Sequence, residues 1–280
     1  MTDSTITGFP QYADWLQELS KSASHPFARD SYDSINYCFS LDHKLPDNYG
    51  WRLSDIEAIK VQTQKSKSFA ELNSIYWVDF ARNCEAYSVM TYWRGVELIK
   101  PTIRTLNIKE VIAAAVLARS LLELSATFIS NANIIHKNIS DLEFPSNPPV
   151  VSSELEAFIL RCIWGTRLGE PEPHLKQINI LTTIQKLSKN PDVSDLLPIY
   201  EYLCEVAHPN VIGNAKYWSH IDHTYSDGSQ RLIISRHADV DSYRETIENI
   251  LWSIGWGSIC LRNAFEMISQ SIQILLQKLK

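Results

Sequence analysis

The sequence predicts an all-α fold: an up-and-down bundle of long helices with one small β-hairpin inserted before the C-terminal helix. Three observations predict it. Apolar residues recur at three- and four-residue spacing over long stretches, the longest from Val240 to Leu279. Ser-x-x-Glu capping boxes mark the starts of the main stretches. One Asp-Gly pair, Asp227-Gly228, stands between strand-like runs. The 280 residues, 45% of them hydrophobic, suffice for one large core or two small ones.

Residues 1–67 read as an N-terminal extension of short helices and loops, and residues 68–280 as the bundle. "PQYADWLQELSK" (10–21) predicts a short helix. Residues 22–50 carry Ser, Asp, Asn, Pro and Gly and read as a long surface segment. "LSDIEAIKVQTQ" (53–64) predicts a helix with Ser54 as N-cap and Glu57 in the capping-box position. Ser68 and Glu71 open a helix that should end before Pro101, because proline lacks the N–H a helix interior needs. Asn107 and Glu110 begin a second long helix, reaching about residue 138. Part of it, Val111–Ile129, is nearly long enough to span a bilayer. Arg119 and Glu123 near its centre would each cost about 2.5–3.5 kcal/mol there, so it reads as a buried helix of a soluble protein.

A proline-rich loop covers 141–153, and Ser153 with Glu156 caps a third helix, broken by "GTRLGEPEPH" (165–174). A fourth covers 175–189. "NPDVSDLLPIYEYLCEVA" is helical, kinked or restarted at Pro198. Residues 216–236 form the hairpin. Ser242 and Glu245 cap the last helix, whose stripe runs through Ile247, Ile250, Ile254, Leu261, Ile268, Ile272, Leu275 and Leu279. Gly257 fills one stripe position, where a neighbouring helix could approach closely. Such a stripe packs internally or against a second chain.

Composition excludes little and favours little. Net charge is −6 and pI about 5.8, so no general nucleic-acid surface is announced. The 12 tyrosines and 8 tryptophans can pack a core or line a site. Five widely spaced cysteines, with no C-x-x-C, read as reduced thiols of a cytoplasmic protein. The N-terminus has neither the basic nor the apolar region of a signal peptide. No P-loop, G-x-G-x-x-G or G-x-S-x-G occurs, and "GTRLGEPEP" is a loop rather than a phosphate cradle.

The candidate chemistry lies in charged residues within apolar helices. Arg119 and Glu123, at i and i+4, can pair with one another, and a buried charge needs such a partner. Arg94 and Glu97 on the preceding helix are the natural third and fourth members. His208 precedes Pro209, which places it at a helix C-terminus, where the dipole favours the imidazolium. It can bond a carboxylate such as Glu123 or Glu205, or simply cap the helix. Cys204, His208, His220 and His223 are ligand types for zinc, but the odd spacing of the last two on a strand points them to opposite faces.

"YWRGVELI", "LARSLLELS" and "YEYLCEVAHPN", in that order, resemble the HEPN superfamily of helical domains over residues 69–279. The resemblance implies a bundle of four or more helices, often a homodimer. It also implies a metal-independent ribonuclease of prokaryotic defence or toxin–antitoxin systems, in which an R-x4-6-H motif carries the chemistry. Other members of the superfamily are binding or scaffold modules. This chain departs from the motif: Glu201, Tyr202 and Leu203 stand where the arginine is expected before His208. Arg231–His237 and Arg167–His174 satisfy the spacing, but in the hairpin and the proline loop. Arg119 would supply the charge from another helix.

The resulting expectation is an RNA-targeting protein with Arg119, Glu123 and His208 as catalytic residues and Arg94, Glu97, Glu205 and Asn210 as binding residues. It needs no metal and no cofactor. RNA is the expected partner, or a protein, with a homodimer formed through the C-terminal helix and no membrane. The alternative is a non-catalytic partner-binding or dimerisation module in which the Arg-Glu-His cluster is structural. A helical small-molecule hydrolase is a third reading, for which nothing selects a substrate.

Overall fold

A computed structural model describes residues 10–52, 55–145, 147–236 and 240–280. Among them the helices are α1 (Asp14–Ser22), α2 (Pro26–Arg29), α3 (Ser31–Asp42), α4 (Ile56–Lys65), α5 (Phe69–Asn107), α6 (Val111–Ser140), α7 (Ser153–Trp164), α8 (Ile180–Leu187), α9 (Leu196–Ala207), α10 (Val211–Ala215) and α11 (Arg244–Lys278). Strands β1 (Trp218–Thr224) and β2 (Gln230–Ile234) pair antiparallel just before α11. The mostly-α bundle with one inserted hairpin is the fold the sequence predicts.

The chain divides into two compact units interleaved along the sequence. One draws on Met1–Phe39, Gly95–Leu124 and Leu187–Ile259, the other on Ser40–Arg94, Ser125–Lys186 and Cys260–Lys280. In the first unit, Leu16, Ile35, Ile99, Ile103, Leu121, Leu203, Ile250 and Trp252 are fully or almost fully buried. In the second, Trp77, Tyr92, Phe128, Ile135, Leu261 and Ile268 are. Each such side chain contributes roughly 1.5–3 kcal/mol by leaving water.

Residues 22–50 are not one long loop. Pro26 starts α2, with His25 Nδ1 accepting the Phe27 N–H at 3.2 Å. α3 follows, and Ser31, Ile35, Cys38 and Phe39 bury one face of it. Burial overrides the turn-forming composition. Pro101 does not end α5 either. Residues Ile99, Thr102, Ile103 and Leu106 around it are fully buried, and that packing offsets the one missing helix bond. α5 stops instead at a Schellman turn. Lys109 adopts φ 65, its N–H reaches Leu106 O at 2.8 Å, and the Glu110 N–H reaches Thr105 O at 2.9 Å. Asn107 therefore closes α5 rather than opening α6, and its Oδ1 accepts the Ala13 N–H at 2.9 Å.

Caps shift by a residue where two candidates adjoin. Asp55, not Glu57's partner at 54, caps α4 through the Glu57 N–H; Ser54 lies outside the described residues. Ser152 rather than Ser153 caps α7, accepting the Leu155 N–H at 3.3 Å. The Ser68–Glu71 box forms as expected on the Ser68 side, with the Glu71 N–H at 3.2 Å from Oγ, while the Glu71 carboxylate reaches the Lys67 N–H. The predicted helix over 175–189 shortens to α8, because residues 165–179 are tied into a looped bridge between Thr166 and Lys176. Pro198 falls in the first turn of α9, where its missing N–H costs nothing.

The hairpin turn is a Tyr225–Gly228 turn closed by Gly228 at φ 84, with Asp227 Oδ1 accepting the Ser229 N–H at 2.9 Å. Two bulges in β1, between Trp218 and His220 and between Ile221 and His223, reset its alternation. Cross-strand partners share a face. Trp218, Ile221, Leu232 and Ile234 therefore lie on one side, and His220, His223 and Arg231 on the other. The expectation that His220 and His223 point to opposite faces is corrected by the second bulge.

The α11 stripe is spent inside the chain: Ile247, Ile250, Ile254, Leu261, Ile268 and Leu275 are completely buried. Among the described residues, the large apolar side chain that α11 leaves exposed is Leu276, at 38%. An interface with a second copy would need that side of the helix, not the stripe. A close approach on α11 falls at Gly255, two residues before the stripe glycine. A Cβ there would lie 2.1 Å from the Phe27 carbonyl oxygen and 3.3 Å from Ser31 Cα. Gly255→Ala is therefore expected to lower stability by about 1–3 kcal/mol in urea denaturation. Gly50→Ala, with nothing within 4 Å, should not.

Candidate functional site

α6 and α9, both contributing to the first unit, face each other with polar residues at helical spacing. Arg119 and Glu123 lie one turn apart on α6; Tyr200, Cys204 and His208 lie one turn apart along α9 and its cap. The Arg119 Nε donates to Glu123 Oε1 at 3.2 Å, and the Tyr200 hydroxyl donates to the same oxygen at 3.0 Å. Cys204 is the next neighbour, close enough to Arg119 and Tyr200 to influence both. Tyr200 thus matches Glu123 and Cys204 matches Arg119, so this part of α9 runs antiparallel to α6. The Arg119 and Glu123 side chains are 29% and 31% exposed, so the pair borders solvent rather than sitting in a closed core.

Burial alone would pull the Arg119 guanidinium down. Cys204, Glu123 and Tyr200 together outweigh it and hold the group above its ordinary value. Burial first, then the neighbouring Glu123 carboxylate, pushes the Tyr200 hydroxyl up. Burial likewise raises the Cys204 thiol, against the pull of Arg119. At neutral pH Cys204 is therefore a thiol, and the negative charge facing Arg119 is that of Glu123.

His208 terminates the row. It is the C-cap of α9, with extended backbone (φ −92, ψ 158) imposed by Pro209 and its own N–H on Cys204 O at 3.1 Å. The residue is exposed, and among the described residues its imidazole makes no hydrogen bond or ion pair. It stands one turn beyond Cys204, roughly 6 Å along the helix axis. The expected bond to Glu123 or Glu205 is not made. The Asn210 amide takes Glu205 instead, at 2.8 Å. Arg94 and Glu97 are exposed on α5, and among the described residues Glu97 forms no ion pair with Arg119.

Of the two strings with motif spacing, Arg231 is paired with Asp222 on the hairpin, its Nε at 2.6 Å, and His237 lies outside the described residues. Arg167 and His174 are exposed in the loop after α7. No group of three or more His, Cys, Asp or Glu is placed to hold a metal among the described residues. α6 is the described helix long and apolar enough to cross a membrane, and 44% of its most apolar window is buried inside the chain.

The sequence assigns no role to Tyr200 and offers Cys204 as a reduced thiol or a metal ligand, not as a neighbour of Arg119. The available signal was their shared spacing with His208, mirrored by Arg119–Glu123. A second cluster in the same unit also escaped it. His25 Nε2 lies 2.9 Å from Asp195 Oδ2 while Nδ1 accepts the Phe27 N–H. The Trp252 indole N–H also points at Nε2, from 3.2 Å, so that nitrogen has both the indole and the Asp195 carboxylate as neighbours. With both nitrogens engaged, His25 is a fastener for α2 rather than a base. Lys216, 7% exposed, reaches Thr246 Oγ1 and packs on the Tyr243 ring.

The chain matches no known family model, no characterised protein and no solved structure.

Two measurements probe these clusters. Tyr200→Phe removes one bond to a carboxylate that is about two-thirds buried and is expected to cost about 1 kcal/mol in denaturant unfolding; no change would mean the hydroxyl prefers water. Burial lowers the Lys216 pKa below its ordinary 10.5, partly opposed by Glu245. The unfolded chain then binds a proton that the folded chain has released, so stability rises with pH between the folded pKa and 10.5. Lys216→Met should flatten that rise in urea midpoints taken from about pH 7 to about pH 10. Parallel curves for the two proteins would show that this lysine titrates alike folded and unfolded.

Proposed function

We propose that the row from Glu123 to His208 is a metal-independent site for the phosphodiester backbone of RNA, in keeping with the HEPN resemblance. The observation that carries the reading is a charged pair on an apolar helix, left at the solvent border and continued by an exposed histidine with no partner among the described residues. An ion pair at the solvent border avoids most of the desolvation cost of burial, and a site for a charged ligand needs the same access.

The division of labour follows from the bonds. Glu123 fixes Arg119 through Nε, leaving the two terminal nitrogens to meet phosphate oxygens. His208 takes the proton of a 2′-hydroxyl as it attacks the adjacent phosphorus. Arg119 stabilises the charge that builds on the phosphoryl oxygens. The 5′-oxygen leaves and takes a proton from water, the His208 imidazolium returns its proton to solvent, and the product carries a 2′,3′-cyclic phosphate. Tyr200 positions Glu123 and touches no substrate. The five cysteines form no disulfide among the described residues, which suits a reducing, cytoplasmic setting, and RNA-targeting defence is the biology that the resemblance attaches to such a site.

A second reading rests on a specific observation of its own. Arg119, Glu123 and Tyr200 satisfy one another without any ligand, so the cluster can serve only to clamp α9 to α6 in a non-catalytic partner-binding module. Incubating the chain with single-stranded RNA in excess chelator separates the readings. The first expects cleavage with cyclic-phosphate ends, reduced about 100-fold or more in His208→Ala with an unchanged melting temperature. No cleavage by the wild type, together with a lower melting temperature for Arg119→Ala, would leave the clamp.

A further inference from the structure

The loop between α7 and α8, in the second unit, borders an open surface pocket of ≈ 580 Å³ lined by Arg167, Gly169, Glu170, Pro171, Lys176, Gln177 and Asn179. Its walls are braced. The Thr166 N–H bonds Leu175 O at 3.1 Å, and the Gln177 N–H bonds Thr166 O at 3.4 Å. Arg167 Nη2 donates to Ile178 O at 2.9 Å, and the Gln177 side chain donates to Arg161 O at 3.1 Å. The space therefore exists before any ligand arrives.

Its chemistry is specific. Arg167 and Lys176 bring two positive charges to one cavity, and among the described residues neither forms an ion pair. Like charges sharing a wall repel, and an anion between them removes the repulsion. Arg167 uses one terminal nitrogen on Ile178 and keeps the other donors of its fork. Asn179 spends its Oδ1 on the Leu181 N–H at 3.1 Å, which leaves its two amide hydrogens to donate. Glu170 is the acidic lining group, an acceptor for hydroxyl donors.

Size and lining narrow the ligand. The volume falls in the range of small-molecule sites, and a bare phosphate would fill a fraction of it. No aromatic ring lines it, so nothing is present to stack a nucleobase. We propose that this cavity binds the phosphate group of a small sugar phosphate, with Arg167 and Lys176 on the phosphate and Glu170 on the sugar hydroxyls. The sequence lacks the glycine-rich backbone cradle of phosphate loops; side-chain cations held by the braced loop do that work instead.

Thermal shift and calorimetric titrations with ribose 5-phosphate and with inorganic phosphate test it on the full chain. Ribose 5-phosphate should raise the melting temperature saturably, and inorganic phosphate should do so more weakly. Arg167→Gln with Lys176→Gln should abolish both effects. Glu170→Gln should remove most of the sugar phosphate's advantage over phosphate. Lack of saturable binding by the wild type, or undiminished binding by the double variant, would overturn the proposal. Should the double variant melt early, charge reversal at Lys176 alone (Lys176→Glu) gives the same reading from an exposed position.

Discussion

A guanidinium and a carboxylate four residues apart on the most apolar long helix constrain how the first unit is built. α6 has to bury Ala114, Ala115, Ala118, Leu121 and Leu122, yet the Arg119–Glu123 pair cannot follow them into a dry core without a heavy desolvation cost. The helix resolves the conflict by turning that stripe toward the edge of the packing. α9 then meets it with the residues of its own sequence that tolerate a polar neighbour, Tyr200 and Cys204. Leu203 and Val206 on the same helix go inward. The segregation of α9 is the complement of the segregation of α6.

The end of the row is fixed by a different force. Pro209 forbids α9 to continue, His208 turns out into extended backbone, and its carbonyl accepts the Asn210 N–H at 2.7 Å. α10 folds straight back over this turn. Gly213 permits it, since a Cβ there would lie 2.8 Å from the His208 carbonyl oxygen and 3.0 Å from that of Val206. The backbone of His208 is therefore locked from both sides while its ring stays in solvent. The stem is fixed by backbone bonds, and the imidazole takes no part in fixing it.

The hairpin shows how one inserted residue changes meaning. Each bulge in β1 lets two neighbours oppose one residue of β2, and two bulges together turn an irregular string, Trp-Ser-His-Ile-Asp-His-Thr, into an amphipathic strand. Its apolar side carries Trp218 and Ile221, exposed at 45% and 52%. Its polar side pairs Asp222 with Arg231. An alternation rule applied to the sequence cannot detect this, because bulges are settled by cross-strand pairing and not by the strand itself.

The sequence by itself determined the helical class, the hairpin and its Asp-Gly turn, the Arg119–Glu123 pairing and the halt at Pro209. All of these are local: periodicity, capping, i,i+4 reach and the chemistry of proline act within a few residues. Tertiary structure alone decided the rest. It carried α5 through Pro101, made helices of 22–42 and placed the tight contact at Gly255. It also spent the α11 stripe inside the chain and brought Tyr200 to Glu123. Each of these is a contact between distant segments, or burial strong enough to override a local preference. A carboxylate at position 123 cannot announce a hydroxyl 77 residues away; only the packing of α6 on α9 puts one beside it.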